Sequence, residues 1–176
     1  MKKLVLLALL AMPVAAQSFD VKLLDRLGAN ASNATTVTLN KTMLRLASNF
    51  LGDDDDSKSV RALVRNLNAI YVRVYAFNKP GQFNEADLAP MRAMLTAPKW
   101  DRIVETKSSR DNSEVYVQPL PNDLLGGVAI ISIEPMEVTV IYIDGTMSPQ
   151  DIGKLSGTMG IPDIKPMIGM PRTPKK

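Results

Sequence analysis

The chain contains no cysteine and no histidine. Those two absences remove a Ser-His-Asp triad, a Cys-His dyad, a histidine-ligated metal and a thiolate metal site from anything one copy can build alone. Without cysteine, an oxidising compartment adds no crosslink. Aromatic residues make up 5% of the sequence, with Trp100 the single tryptophan, and the formal charge is only +3. That is too few rings and too even a charge for a nucleic-acid stacking platform. No phosphate-binding P-loop and no glycine array of dinucleotide-binding spacing is present. No catalytic, cofactor-binding or metal-binding residue is assigned, no cofactor is expected, and the sequence reads as a non-enzyme.

The first residues read as an export signal. Lys2 and Lys3 give a positive start, and Leu4 to Met12 is an unbroken apolar run too short to span a bilayer. Pro13 breaks the run, and Val14-Ala15-Ala16 presents the small residues of a cleavage site. Cleavage is expected after Ala16, leaving a chain near +1 in the periplasm or outside the cell, with no later transmembrane segment. What remains suits one domain with a core of its own.

Residues 17–36 read as an N-terminal segment and linker, with a short helix over Phe19 to Leu27 that Gly28 ends and a loop from Gly28 to Thr36. The domain is expected over 37–159. It opens with a short strand, Thr36 to Leu39. Met43, Leu46, Ala47, Phe50 and Leu51 follow helical spacing and predict a buried helix face, with Gly52 as the stop. A second helix buries Val60, Leu63, Val64 and Leu67, with Arg61 and Arg65 elsewhere on it. Ile70 to Phe77 is β-branched and aromatic and reads as a strand. Lys79-Pro80-Gly81 is a turn. Asn84 caps a third helix with Leu88, Met91 and Leu95 as its stripe, and Pro90 makes that helix start late, near Ala89, or kink.

The second half reads as an antiparallel meander: Trp100 to Thr106, Glu114 to Gln118, Gly127 to Glu134 and Val138 to Asp144. Loops are expected at Lys107 to Ser113 and Pro119 to Asn122, and a tight turn at Pro135-Met136. The last two strands are apolar on both faces, Val128 and Ile130 on one, Ala129, Ile131 and Ile133 on the other. They therefore read as central and covered on both sides. Ser148-Pro149 opens a last helix lined by Ile152, Leu155 and Met159. Residues 160–176, with Pro162, Pro166, Pro171 and Pro174 among Lys165, Arg172, Lys175 and Lys176, read as a mobile basic tail; of an anionic-surface anchor and a merely soluble end, the soluble end is preferred. The fold class is α+β, a meander-rich antiparallel sheet packed by helices in a single domain.

Four groups invite a chemical reading. Asp53 to Asp56 suggests calcium, but from Asp53 the sixth position is Lys58 rather than Gly and the twelfth is Val64 rather than Glu. Carboxylates at a helix start meet its free N–H groups, and that reading is preferred. Glu134 and Glu137 flank a turn and read as solvated. The ten methionines raise a copper(I) thioether site around Met159, Met167 and Met170, yet Met43, Met91 and Met159 fall on apolar helix faces where methionine fills gaps. Asn30, Asn33 and Asn40 each begin a glycosylation-type triplet by chance in a chain with a bacterial start. Trp100 opens a strand and reads as packing.

The order of these features resembles a known family: the signal, two helices, Ile70-Tyr71-Val72-Arg73-Val74-Tyr75, the acidic helix near Asn84, Trp100-Asp101-Arg102-Ile103-Val104, Val115-Tyr116-Val117, and a Gly-Gly hairpin closing at Ile143-Asp144-Gly145. It resembles the bacterial envelope family called domain of unknown function 4252, over roughly Asp20 to Thr158. The resemblance implies an envelope compartment and a signalling context near extracytoplasmic sigma factors and their inhibitors; it brings no catalytic motif. The expected function is a non-catalytic envelope interaction or signalling-associated module, whose partner is an unknown envelope protein or a second copy, meeting any sheet face the helices leave open. The alternative is a small periplasmic carrier of an apolar or lipid-like ligand held between sheet and helices.

Overall fold

Val128, Ile130, Ile141 and Ile143 point to one side of the chain's two most apolar strands, and Ala129, Ile131, Val138 and Val140 point to the other. Both sets are buried, so each side of these strands is covered. The computed structural model describes residues 22–108 and 111–155. Its strands are Asn33–Asn40 (β1), Leu67–Ala76 (β2), Asp101–Lys107 (β3), Asn112–Leu120 (β4), Leu124–Glu134 (β5) and Glu137–Met147 (β6). Its helices are Lys22–Asp25 (α1), Lys41–Ser48 (α2), Asp55–Val64 (α3), Ala89–Leu95 (α4) and Pro149–Leu155 (α5), with a tighter 3₁₀ turn at Glu85–Leu88 leading into α4. All six strands join one antiparallel sheet in the order β1-β2-β6-β5-β4-β3, an α+β single domain with β5 and β6 in the middle.

Two cores flank the sheet. On one face Leu44 of α2, Val60, Leu63 and Val64 of α3, and Ile152 and Leu155 of α5 pack over Ile70, Val72, Val115, Val117 and their neighbours. On the other, Leu24 and Leu27 from the α1 region and Leu88, Met91 and Leu95 around α4 pack over Tyr75, Tyr116, Tyr142 and Trp100. Each fully buried Leu or Ile contributes about 1.5–3 kcal/mol of transfer energy. The helices cover both faces, as the two-sided apolar pattern of β5 and β6 predicts, so no bare sheet face is left there for a partner. The β2-to-β3 connection carries α4 to the face opposite α2 and α3, because Leu88, Met91 and Leu95 recur at helical spacing and need an apolar partner there.

Local signals account for the element ends. Asn40 caps α2, its Oδ1 accepting from Met43 N at 2.9 Å. Asp54 caps α3 by accepting from Ser57 N at 2.9 Å and Ser57 Oγ at 2.6 Å. Helix α4 starts at Ala89, so Pro90 sits in the first turn, where its missing N–H is not needed. Ser148 N and Oγ both donate to Asp151 Oδ2 at the start of α5. A Cβ on Gly127 would lie 3.0 Å from Trp100 Cη2, so the indole packs directly against this glycine.

Several expectations change. The loop from Gly28 to Thr36 is shorter, because β1 begins at Asn33. Leu24 and Leu27 belong to the core, so the packed part of the chain begins before residue 37. Pro119 lies in β4, beside a register shift that spares it a ladder bond. The largest correction concerns α2. Leu44 and Ser48 are its buried residues, whereas Met43 (49% exposed), Leu46 (51%) and Phe50 (90%) face solvent. The helix leaves the sheet at Asn40, whose cap fixes the rotation that turns Leu44 inward. It also stops at Ser48, since Arg61 of α3 donates to the carbonyls of Ser48, Leu51 and Gly52 at 3.2, 2.7 and 3.1 Å. The signal segment, the tail from 160 and Met159 lie outside the described residues.

Candidate functional site

Glu114 and Tyr116 are two apart on β4 and so share a face, the one that α4 crosses. Arg92 of α4 reaches Glu114: its Nε donates to Oε1 and Oε2 at 3.0 and 3.3 Å, and Nη2 donates to Oε1 as well. Tyr116 Oη donates to Oε2 at 2.6 Å. Glu85 lies 3.7 Å from Arg92 Nη1, and Arg102 pairs with Glu105 at 2.8 Å. Glu85, Arg92, Arg102, Glu105 and Glu114 border a cleft of about 260 Å³ that also meets Lys107 and Asn112.

Burial pushes the Glu114 carboxyl up, but hydrogen bonds from Arg92 and Tyr116, with the charges of Arg92 and Arg102, outweigh it and hold the group below its ordinary value. Burial likewise works against the Arg92 charge, and the bonds and charge of Glu114 more than restore it. The Tyr116 hydroxyl is raised by burial and by its bond to Glu114. A general acid at neutral pH needs a raised carboxyl. Glu114 has the reverse, with its oxygens already occupied, so the trio works as a strut between α4 and β4. Asn112 Oδ1 is buried beside it without a hydrogen-bond partner among the described residues.

The second surface is at the far end of the sheet. Strand β1 pairs with β2 alone among the described strands, and it is mostly exposed. It holds no charged residue and no proline: Asn-Ala-Thr-Thr-Val-Thr-Leu-Asn. Behind it, Arg73 of β2 is buried, and its Nη1 donates to Val37 O at 3.0 Å and Val72 O at 2.9 Å, with Thr38 Oγ1 at 3.3 Å. One nitrogen can touch both carbonyls only if both lie in the gap between β1 and β2. Val37 therefore bonds toward β2, and the alternate residues Ala34, Thr36 and Thr38 turn their N–H and C=O groups outward. Helix α2 follows directly from this strand and meets β1, β2 and α3; it carries the exposed Met43 and Leu46, and the exposed Phe50 lies just past its end.

The groups singled out from sequence are dispersed. Asp53 to Asp56 start α3: Asp54 is its cap, held below the usual carboxylate range by its bonds from Ser57; Asp55 pairs with Lys58 at 3.2 Å and Asp53 lies 3.7 Å from Arg61. Glu134 and Glu137 face each other across the β5–β6 turn, where Glu137 accepts from Thr139 Oγ1 at 3.3 Å. Met91 and Met147 are buried, Met43 and Met136 exposed. Trp100 packs against Tyr142, ring centroids 5.9 Å apart. Asn40 is a helix cap, and Asn30 Nδ2 donates to Gln82 O at 3.3 Å. Sequence reasoning missed Arg73 and the Arg92–Glu114–Tyr116 trio. The signal was present in Arg73, which interrupts an otherwise apolar face between Tyr71 and Tyr75, and in Glu114, which shares a strand face with Tyr116.

The family model described as domain of unknown function (DUF4252) matches residues 28–155, from just before β1 to the end of α5. No curated protein and no solved structure matches the chain.

Proposed function

The chain belongs to the DUF4252 family, and on that premise we propose that it is an exported, non-catalytic interaction module of the bacterial envelope, acting in a signalling-associated setting. The observation that carries the reading is the surface around β1. An uncharged strand edge lies beside three exposed apolar side chains, Met43, Leu46 and Phe50, on a domain whose other large apolar residues are mostly packed away. Such surface is what a protein partner covers. The leader-like start, Lys2 to Ala16, supports export.

The carrier reading finds less support. Ile130, Ile131, Ile141 and Ile143 are fully buried on the two sides of the central strands, so an apolar guest there would have to displace a close-packed core.

Fractionation of the host with intact-mass measurement tests export: the expected species begins at Gln17 and sits in the envelope or medium. Full-length chain in the cytoplasm sinks the proposal. Crosslinking in intact cells then tests the module reading, with reproducible adducts through the β1–α2 surface expected.

A further inference from the structure

We propose that the β1 edge is a self-docking strand, through which two copies of the chain pair antiparallel into one continuous sheet. This deepens the interaction-module reading, on which it rests, by naming the partner as a second copy.

The two edges of the sheet differ in the way that separates a guarded edge from a pairing one. At β3, Asp101, Arg102, Glu105 and Lys107 line a seven-residue strand, and a register shift between Arg102 and Val104 kinks it. Strand β1 is regular over eight residues, Asn33 against Ala76 through Asn40 against Ala69, with no shift and no charge. Its outward N–H and C=O groups, on Ala34, Thr36 and Thr38, pair with no other described strand and match the groups an incoming strand offers.

The spacing of those three residues makes β1 its own complement. In an antiparallel pair, directly opposed residues lie on the same face. A two-fold axis through Thr36 sets Thr36 opposite Thr36 of the second copy, Ala34 opposite Thr38 and Thr38 opposite Ala34. Every outward group is then used, in about six hydrogen bonds. Asn40 stays outside the ladder, free to cap α2 as observed. Thr35 and Val37 oppose each other on the α2 side, so the half-buried Val37 of each copy meets Thr35 of the other on that face. The same axis keeps the two α2 helices on one face of the doubled sheet, one at each end of the paired strands, because each follows directly from Asn40. The interface is isologous and closes at two copies, with β3 remaining as the guarded end on both sides.

The test uses the chain in the form that cells accumulate. Light scattering and sedimentation are expected to show a dimer. Thr36→Lys and Thr36→Glu each place like charges opposite one another at the axis and are expected to weaken it about 5-fold. Circular dichroism of both confirms an unchanged fold, and mixing the two variants restores a one-to-one dimer. Because the chain has no cysteine, Thr36→Cys is expected to give a dimer with a short bis-maleimide, while Thr106→Cys on β3 does not. A strict monomer at high concentration overturns the proposal, as does a dimer indifferent to both charge substitutions. A monomer that nonetheless crosslinks to other envelope proteins removes the self-docking strand and leaves the module reading in place.

Discussion

Arg92 Nε donates to both carboxylate oxygens of Glu114, at 3.0 and 3.3 Å, and so ties α4 to the first part of β4. Glu114 is only 10% exposed at its side chain and Arg92 29%, so the pair is sheltered but not sealed. Glu114→Gln keeps the shape and a bond to Tyr116 while removing the charge, and is expected to cost about 1–2 kcal/mol. The pH dependence carries the sign of a depressed carboxyl. The stabilisation is fully present above the unfolded value near 4.5 and is lost as pH falls through the lower folded value. Urea unfolding from pH 7 downward is therefore expected to show a steeper acid loss in the wild type than in Glu114→Gln. Parallel curves would mean that the pair contributes nothing ionic.

Gly145 is fixed by a close crossing of strands. Its φ is +138°, and a Cβ there would lie 2.5 Å from Leu67 Cα and 2.6 Å from Asn66 O, both backbone atoms that cannot turn aside. Gly145→Ala is expected to cost at least about 2–3 kcal/mol. Gly153, inside α5, is the contrast: nothing lies within 4 Å of its added Cβ, and no left-handed φ is involved. Gly153→Ala is expected to stabilise by about 0.5–1 kcal/mol through helix propensity. Thermal unfolding of both variants checks the pair, and equal effects would refute the assignment of Gly145 to a backbone crossing.

The sheet's centre was legible in the sequence because Val128 to Ile133 and Val138 to Ile143 are apolar at nearly every position, which only a strand covered on both faces tolerates. The stripe Leu88, Met91, Leu95 was legible for a similar reason: no competing stripe exists on that helix. Helix α2 had two. Met43, Leu46 and Phe50 form one, while Leu44, Ala47 and Leu51 form another at equally good spacing. Periodicity cannot choose between them; the cap at Asn40 and the grip of Arg61 on the helix end choose the second. The candidate site was illegible because it is made of relationships between distant elements. Arg92 and Glu114 are 22 residues apart, and the edge position of β1 among the described strands follows from strand order alone.

That choice of face has a direct consequence. Leu44 is fully buried, so Leu44→Ala is expected to cost about 2–5 kcal/mol, the range for an emptied core position. Leu46, half exposed, is expected to change stability by no more than about 0.5 kcal/mol when replaced by Ala. Denaturant midpoints at low protein concentration, where association does not contribute, separate the two. The opposite ranking would put Met43, Leu46 and Phe50 back in the core.

Tyr142 gives an alkaline counterpart. Burial first, then the charges of Asp144 and Tyr71, push its hydroxyl up to about 12 from the ordinary value of 10.0. The folded chain therefore favours the neutral ring more strongly than the unfolded chain does. Full stability is retained below pH 10 and is lost as pH climbs toward 12, with a total on the order of 2–3 kcal/mol. Absorbance titration is expected to show one tyrosine ionising last, together with the loss of near-ultraviolet dichroism from Trp100, whose ring lies 5.9 Å away. Tyr142→Phe is expected to remove that late step and flatten the alkaline stability curve. If all four tyrosines ionise together near pH 10 with the fold intact, the ring is wetter than its 8% exposure indicates, and the aromatic packing over Gly127 must be redrawn.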